Sequence, residues 1–193
     1  IGSGGYAIVL DPYGDGTVPG LSPLNVTADE VLCSHGHHDH AATEAVRLRK
    51  TAGPSPFTVT HVLTAHDDCG GQKRGMNTVH VVEAKGLRAA HLGDLGHPLT
   101  ETQIKALGGV DVLMIPVGGL YTIDAAQAKE VADAVGAAVV VPMHYRSDRF
   151  GFPVIGLLEE YTRRCDDVQV MPGDTVEIVK GMPKQTLVLR YMG

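Results

Sequence analysis

The segment Ser34-His35-Gly36-His37-His38-Asp39-His40 puts four histidines and one aspartate into six consecutive positions. A buried polar group left without a partner costs roughly 1–3 kcal/mol, so this is not the composition of a packed core. A solvated loop is the bland alternative. A purification tag would be terminal and would lack the glycine and the aspartate. Imidazole nitrogen and carboxylate oxygen are the natural ligands of zinc and neighbouring divalent metals, and metal binding is the chemistry this spacing offers. Three more residues of the same kind each follow an apolar run. His66 closes the run at 57–65, Asp94 follows the run at 87–92, and His144 follows the run at 137–141. Strand ends in one sheet converge on a single cleft. Together these segments supply five histidines (His35, His37, His40, His66, His144) and two aspartates (Asp39, Asp94). That is enough for two metal ions with open positions.

The elements that must hold these residues alternate between short β-type runs and helical stretches, punctuated by Gly and Pro. Residues 6–10 read as a buried strand, followed by a turn-rich loop over 11–23. Gly2, Gly4 and Gly5 suggest a hairpin whose other strand lies upstream. Residues 30–33 form a second short strand, and 41–50 has helical composition, stopping at Gly53-Pro54. A strand over 57–65 leads into a polar, Gly-rich loop at 67–75. Residues 78–83 and 87–92 pair across Lys85-Gly86. Further on come a short helix at 100–107, a strand at 111–115, a helix at 124–135 capped by Asp124, a strand at 137–141 and a helix at 154–163. The C-terminus offers β-like runs at 175–179 and 186–191. Apolar strands with helices between them imply a sheet covered by helices, an α/β fold.

Composition bounds the rest. The chain has 193 residues, 44% hydrophobic and 20% charged, which suits a single globular domain over 1–193. A net charge of -6 argues against nucleic-acid binding and against a basic membrane patch. Three cysteines (Cys33, Cys69, Cys165) are too few and too scattered for a disulfide framework. They fit a reducing compartment, read as the cytoplasm. No apolar run reaches the ~20 residues of a membrane span, and no signal peptide is evident. The chain opens at Ile1 without an initiator Met, so its first N-terminal strand is expected to be missing.

The pattern His35-x-His37-x-Asp39-His40, followed in order by His66, Asp94 and His144, resembles the metallo-β-lactamase fold superfamily over nearly the whole chain. The resemblance implies an αββα four-layer sandwich with a two-metal site at one edge of the sheets. It implies one metal on His35, His37 and His66, a second on Asp39, His40 and His144, and Asp94 bridging them. The ions would be zinc, with manganese or iron as alternatives. A hydroxide shared between them would attack a small, anionic ester, lactone or phosphoester, with Asp39 and Asp94 as catalytic carboxylates. The segments Leu92-Gly93-Asp94-Leu95-Gly96-His97 and Pro116-Val117-Gly118-Gly119 look most like the small ascorbate-6-phosphate lactonase-like hydrolases. A phosphorylated sugar lactone is the substrate they suggest. The chain lacks room for the added domains of RNA-processing members. Two other readings stay open: a di-iron redox protein and a non-catalytic metal-binding domain. An open sheet edge leaves a homo-oligomer possible.

Other residues have ordinary readings beside functional ones. His38 reads as exposed, His61 and His80 as strand residues, and His91 as packed behind the site. His97 is within reach of the cleft, as a brace or a substrate contact. Cys69 reads as a structural loop residue and Cys33 as buried. Asp11 reads as a turn former, and the resemblance suggests that it braces the His35 loop. Lys73, Arg74, Arg146 and Arg149 are surface charges or contacts for an anionic substrate.

Overall fold

A computed structural model describes residues 1–50 and 53–193 of the chain. β1 (Gly2–Ser3) turns through Gly4 and Gly5 into β2 (Tyr6–Leu10). β3 (Val26–Ala28) and β4 (Glu30–Leu32) follow, and a 3₁₀ turn at Thr43–Ala45 leads into β5 (Val46–Leu48). β1, β2 and β4 make a three-stranded sheet, and β3 pairs in parallel with β5. Next come β6 (Thr58–Ala65), β7 (Met76–Ala84) and β8 (Leu87–His91), each antiparallel to its neighbour. β7 turns into β8 at Lys85-Gly86, with φ of 51° and 73°. Positive φ at both positions matches the right-handed twist of a two-residue hairpin. The chain finishes with α1 (Glu101–Leu107), β9 (Val112–Pro116), α2 (Ala125–Val135), β10 (Val139–Met143), α3 (Leu158–Thr162), β11 (Val168–Val170) and β12 (Gln185–Val188).

Seven strands lie in the order β11-β12-β10-β9-β8-β7-β6. β8 to β12 run mutually parallel. β6 and β8 both oppose β7, so β6 points the same way as the parallel set. Side chains alternate across the sheet. On one face Val79, Val81, Leu113 and Ile115 pack with Leu107, Val131 and Tyr161 of the three helices. On the other, Val112, Val139 and Leu187 are covered by Val176 and Ile178 of the C-terminal segment. The Thr78 amide of β7 donates to Ser34 O at 2.8 Å, tying the segment after β4 to the large sheet. Burial on both faces is what a mostly parallel sheet requires. The result is the α/β sandwich the sequence led us to expect.

Three expectations are corrected, and two unexpected strands added, by contacts that local composition does not reveal. Residues 41–50 form no α-helix: after the 3₁₀ turn, Val46–Leu48 joins Val26–Ala28, a strand the sequence reading missed. Val46 is buried there and the Arg49 amide donates to Ala28 O at 2.9 Å, so tertiary pairing overrides helix propensity. The helix expected at 154–163 shrinks to Leu158–Thr162 because the Gly156 backbone bonds Gly118 and Arg146. Residues 175–179 cover the sheet without joining it. Val168–Val170 pairs with β12 instead, again outside the expected elements.

Asp124 caps α2 as expected. Its Oδ1 accepts from the Ala126 and Gln127 amides, both at 2.9 Å, and Gln127 Oε1 accepts from the Asp124 amide at 3.1 Å. Asp124→Ala should therefore cost about 1 kcal/mol, seen as a lower urea midpoint with an unchanged slope. Asp124→Asn should retain most of that stability.

Candidate metal centre

The strands deliver their carboxyl ends to one edge. Asp11 follows β2, and Ser34 to His40 follow β4. His66 follows β6, Asp94 stands three residues past β8, and His144 follows β10. Asp94 is buried, and its Oδ2 lies 3.4 Å from His66 Nε2, 3.5 Å from His40 Nε2 and His144 Nε2, and 3.9 Å from His35 Nε2. Two ligands of a tetrahedral zinc at ordinary bond lengths stand about 3.4 Å apart. His35, His37 and His66 form one cluster with ligand atoms within 4.8 Å of one another, and His40, Asp94 and His144 form another. The structure thus gathers six of the seven expected ligands. Asp39 stands at the rim of the second cluster, with Oδ2 3.8 Å from His40 Nε2.

The donor set fits a cation. His35 Nε2 and Asp94 Oδ1 are buried without a hydrogen-bond partner, a costly arrangement unless an ion is to be held. Burial pushes His35 down to about 4, so it is a neutral ligand at pH 7. Burial opposes the Asp94 carboxylate, but the facing His144, His40, His66 and His35 hold it below the usual range. Burial also opposes the charge on His40, yet Asp11 and Asp94 raise it to about 9. A metal arriving there displaces a proton.

A further group fixes the ring orientations. Asp11 Oδ1 accepts from the Ser34 amide and Oδ2 from Ser34 Oγ, both at 2.6 Å, and His40 Nδ1 donates to Oδ2 at 3.4 Å. Ser34 Oγ in turn accepts from His35 Nδ1 at 2.9 Å. With their Nδ1 atoms donating here, both rings aim Nε2 at Asp94, the usual arrangement behind metal-bound histidine, and the proton a metal displaces is the one on His40 Nε2. Burial disfavours the Asp11 charge, but His40, His91 and Ser34 outweigh it and bring the group to about 2. Asp11 is thus the brace the resemblance suggested, not merely a turn former. It can also cluster with His35 and His40, but its oxygens are spent on these donors.

Other supports escaped the sequence reading. Asn77 Oδ1 accepts from the Asp94 amide at 2.9 Å, while Nδ2 donates to Leu92 O and Thr64 Oγ1. Asp67 Oδ1 and Oδ2 accept from the amides of Cys69, Gly71, Lys73 and Arg74, fixing the loop after His66. These bonds outweigh burial and hold its carboxyl below the usual range. The signal was there: an aspartate opening a Gly-rich loop. A Cβ on Gly96 would overlap the His66–Asp67 backbone, and one on Gly118 would overlap His144 O.

The weaker candidates sort themselves by contact. His38 is exposed and lies against Gly14. His91 is buried with Nδ1 3.9 Å from Asp11 Oδ2. His97 braces the strand before His66: its Nε2 accepts from the Ala65 amide at 3.2 Å. His61 and His80 meet across strands at 2.9 Å between Nδ1 atoms. Lys73 pairs with Asp68, Arg146 Nε donates to Ile155 O, and Arg74 lies 5.5 Å over the Tyr121 ring. Cys33, Cys69 and Cys165 are free and half-buried.

The sandwich and its edge cluster of histidines and aspartates define a metal-binding protein of α/β type. The β-lactamase superfamily domain matches residues 1–144, and the chain belongs to that superfamily. It is 29% identical to a UPF0173 metal-dependent hydrolase of Methanoregula boonei, over 91% of this chain and 92% of the relative. A protein of the same description from Archaeoglobus fulgidus is 27% identical over 92% and 94%. A Thermotoga maritima crystal structure of the metallo-β-lactamase superfamily superposes with a TM-score of 0.73 and 33% identity, covering 96% of this chain and 90% of that one. The Igni18 metallo hydrolase of Ignicoccus hospitalis shares the fold, at 20% identity and a TM-score of 0.61 over 84% of each chain.

Asp11→Asn should weaken metal binding by about 10–100-fold in chelator competition while leaving the melting transition cooperative. Gly118→Ala should push His144 out of place, read by mass spectrometry as less metal per chain with an unchanged circular dichroism spectrum.

Proposed function

We propose that the protein is a binuclear metal-dependent hydrolase of a small ester or lactone. The observation that carries this reading is the position of Asp94 Oδ2, within 3.9 Å of imidazoles from both clusters. His35, His37 and His66 would hold one ion. His40, His144 and Asp39 would hold the other, with Asp94 shared. Zinc suits this histidine-rich set, and manganese and iron share its ligand preferences. Bound ions would supply Lewis acidity, bringing water toward ionisation at neutral pH and polarising the substrate carbonyl.

The chain's own groups do the rest. Asp11 and Ser34 keep the His35 and His40 rings oriented. Asp39 is part-exposed at the rim, where its Oδ atoms can take the proton of the attacking water. The water oxygen bonds to the acyl carbon, the acyl C–O bond breaks, and Asp39 returns the proton to the leaving alkoxide. Two carboxylates against two divalent charges leave the site positive, and Arg74 adds to the positive potential at His66. That balance favours a substrate with an anionic group. A chain of net charge -6 is a poor fit for nucleic acid. Among the described residues no helix is long and apolar enough to cross a membrane. We assign the protein to the cytoplasm on its free cysteines.

Metal analysis of untagged protein purified without chelator should return two equivalents of zinc or manganese per chain. Asp94→Ala should lose more than about 100-fold in ester turnover and stay folded. Two irons would point instead to redox chemistry, and no metal after reconstitution would overturn the paired site.

A further inference from the structure

One cavity of about 320 Å³ opens directly on the metal centre. Asp39, His40, Asp94 and His144 wall one side of it. The other side is Val18, Leu21, Met143, Phe150, Phe152 and Ile155. No Lys, Arg, Ser, Thr, Asn or Gln lines it among the described residues. The wall's two hydroxyls belong to Tyr13, which already donates to Ser22 O at 2.8 Å, and to Tyr145, whose ring packs against Phe150. The basic side chains that could take an anion lie outside this wall: Lys73 is held by Asp68, Arg146 by Ile155 O and Arg74 by the Tyr121 face, and Arg149 is exposed beyond Phe150.

From this asymmetry we infer that the substrate is an ester or lactone with an apolar acyl or aryl body, seated against Val18, Leu21 and Phe150, its carbonyl turned to Asp94 and His144. The inference rests on the hydrolase reading and narrows its substrate. A sugar body carries a hydroxyl on most of its carbons. Against this wall those hydroxyls would lose water and gain no partner, which strongly disfavours binding. An alkyl or aryl body loses nothing there and gains burial. An anionic group would find its charge partner only in the metal centre itself. The reaction is ordinary hydrolysis: water adds across the acyl C–O bond to give a carboxylic acid and an alcohol, with no redox change. The volume sits at the low end for ligand pockets, so the preferred body is a short-to-medium chain or one ring.

The test uses the full chain loaded with its metal and three chromogenic substrates: 4-nitrophenyl acetate, butyrate and hexanoate. A fully buried methylene is worth about fourfold. The expected result is a rise of at least tenfold in kcat/KM from acetate to hexanoate. Val18→Trp fills the cavity from a half-buried loop position and should cut the hexanoate-to-acetate ratio below threefold. Leu21→Trp provides a second filling variant if the first fails to fold. Calorimetric titration with octanoate and with acetate reads binding apart from turnover, and octanoate should bind at least tenfold tighter. A flat or falling series with acetate still hydrolysed would overturn the apolar pocket and leave the hydrolase standing. If no ester is turned over, octanoate binding that is lost in Val18→Trp would uphold the pocket while removing the hydrolase reading. Equal binding of octanoate and acetate would overturn the pocket.

Discussion

A carboxylate buried under a ring of imidazoles is the constraint on which this structure depends. Asp94 is 3% exposed, and four ε-nitrogens stand around one of its oxygens. An isolated buried charge is expensive, and burial keeps His35 and His66 from taking the protons that would offset it, leaving His40 to repay only part. A bound cation would reverse the balance, because imidazole nitrogens and carboxylate oxygens are the donors it takes. The cluster is therefore arranged for ions, and the surrounding scaffold has to hold mutually unsatisfied groups together until they arrive.

Three devices do that holding. Parallel strands bring several carboxyl ends to one edge, so residues from 11 to 144 meet over a few ångströms. Hydrogen bonds from Asp11, Ser34, Asn77, Asp67 and His97 then pin the backbone and the far side of the rings. Close backbone packing at Gly96 and Gly118 sets His66 and His144 at fixed depth. Asp11 and His144 both adopt positive φ, 47° and 52°, a conformation that costs a non-glycine residue about 1–2 kcal/mol. Such strain persists where surrounding structure over-determines it, and here it re-aims side chains at the ends of β2 and β10.

The chemistry of the site also explains its asymmetry. Reaction needs charge and open coordination on one wall, and substrate retention needs a surface that excludes water on the other. The loop after β2 supplies both: Asp11 at its start braces the ligands, and Val18 and Leu21 further on form part of the apolar wall. One turn-rich segment thus touches both the histidine cluster and the apolar part of the cleft.

Much of this was legible in the residues. The spacing from His35 to His40 and the polar residues ending apolar runs pointed to six residues that the fold clusters, because ligand chemistry is a property of residue type and strand ends are visible as breaks in hydropathy. The Asp124 cap and the Lys85-Gly86 hairpin were legible for the same local reason. The residues alone did not separate a brace from a turn former at Asp11, where only the resemblance pointed to the brace, and the supporting roles of Asn77 and Asp67 went unread, since such side chains look alike until the partner is in place. The strand at Val46–Leu48 was hidden because its backbone bonds go to Val26–Ala28, about twenty residues earlier. Sequence alone determined which residue types with metal-ligand chemistry fall at the ends of the main apolar strands. Only tertiary structure decided which oxygen of Asp94 faces both clusters, which ring nitrogens carry protons, and that the cleft beside them is apolar. Those are relations between side chains from separate strands, and they exist only once the sheet has closed.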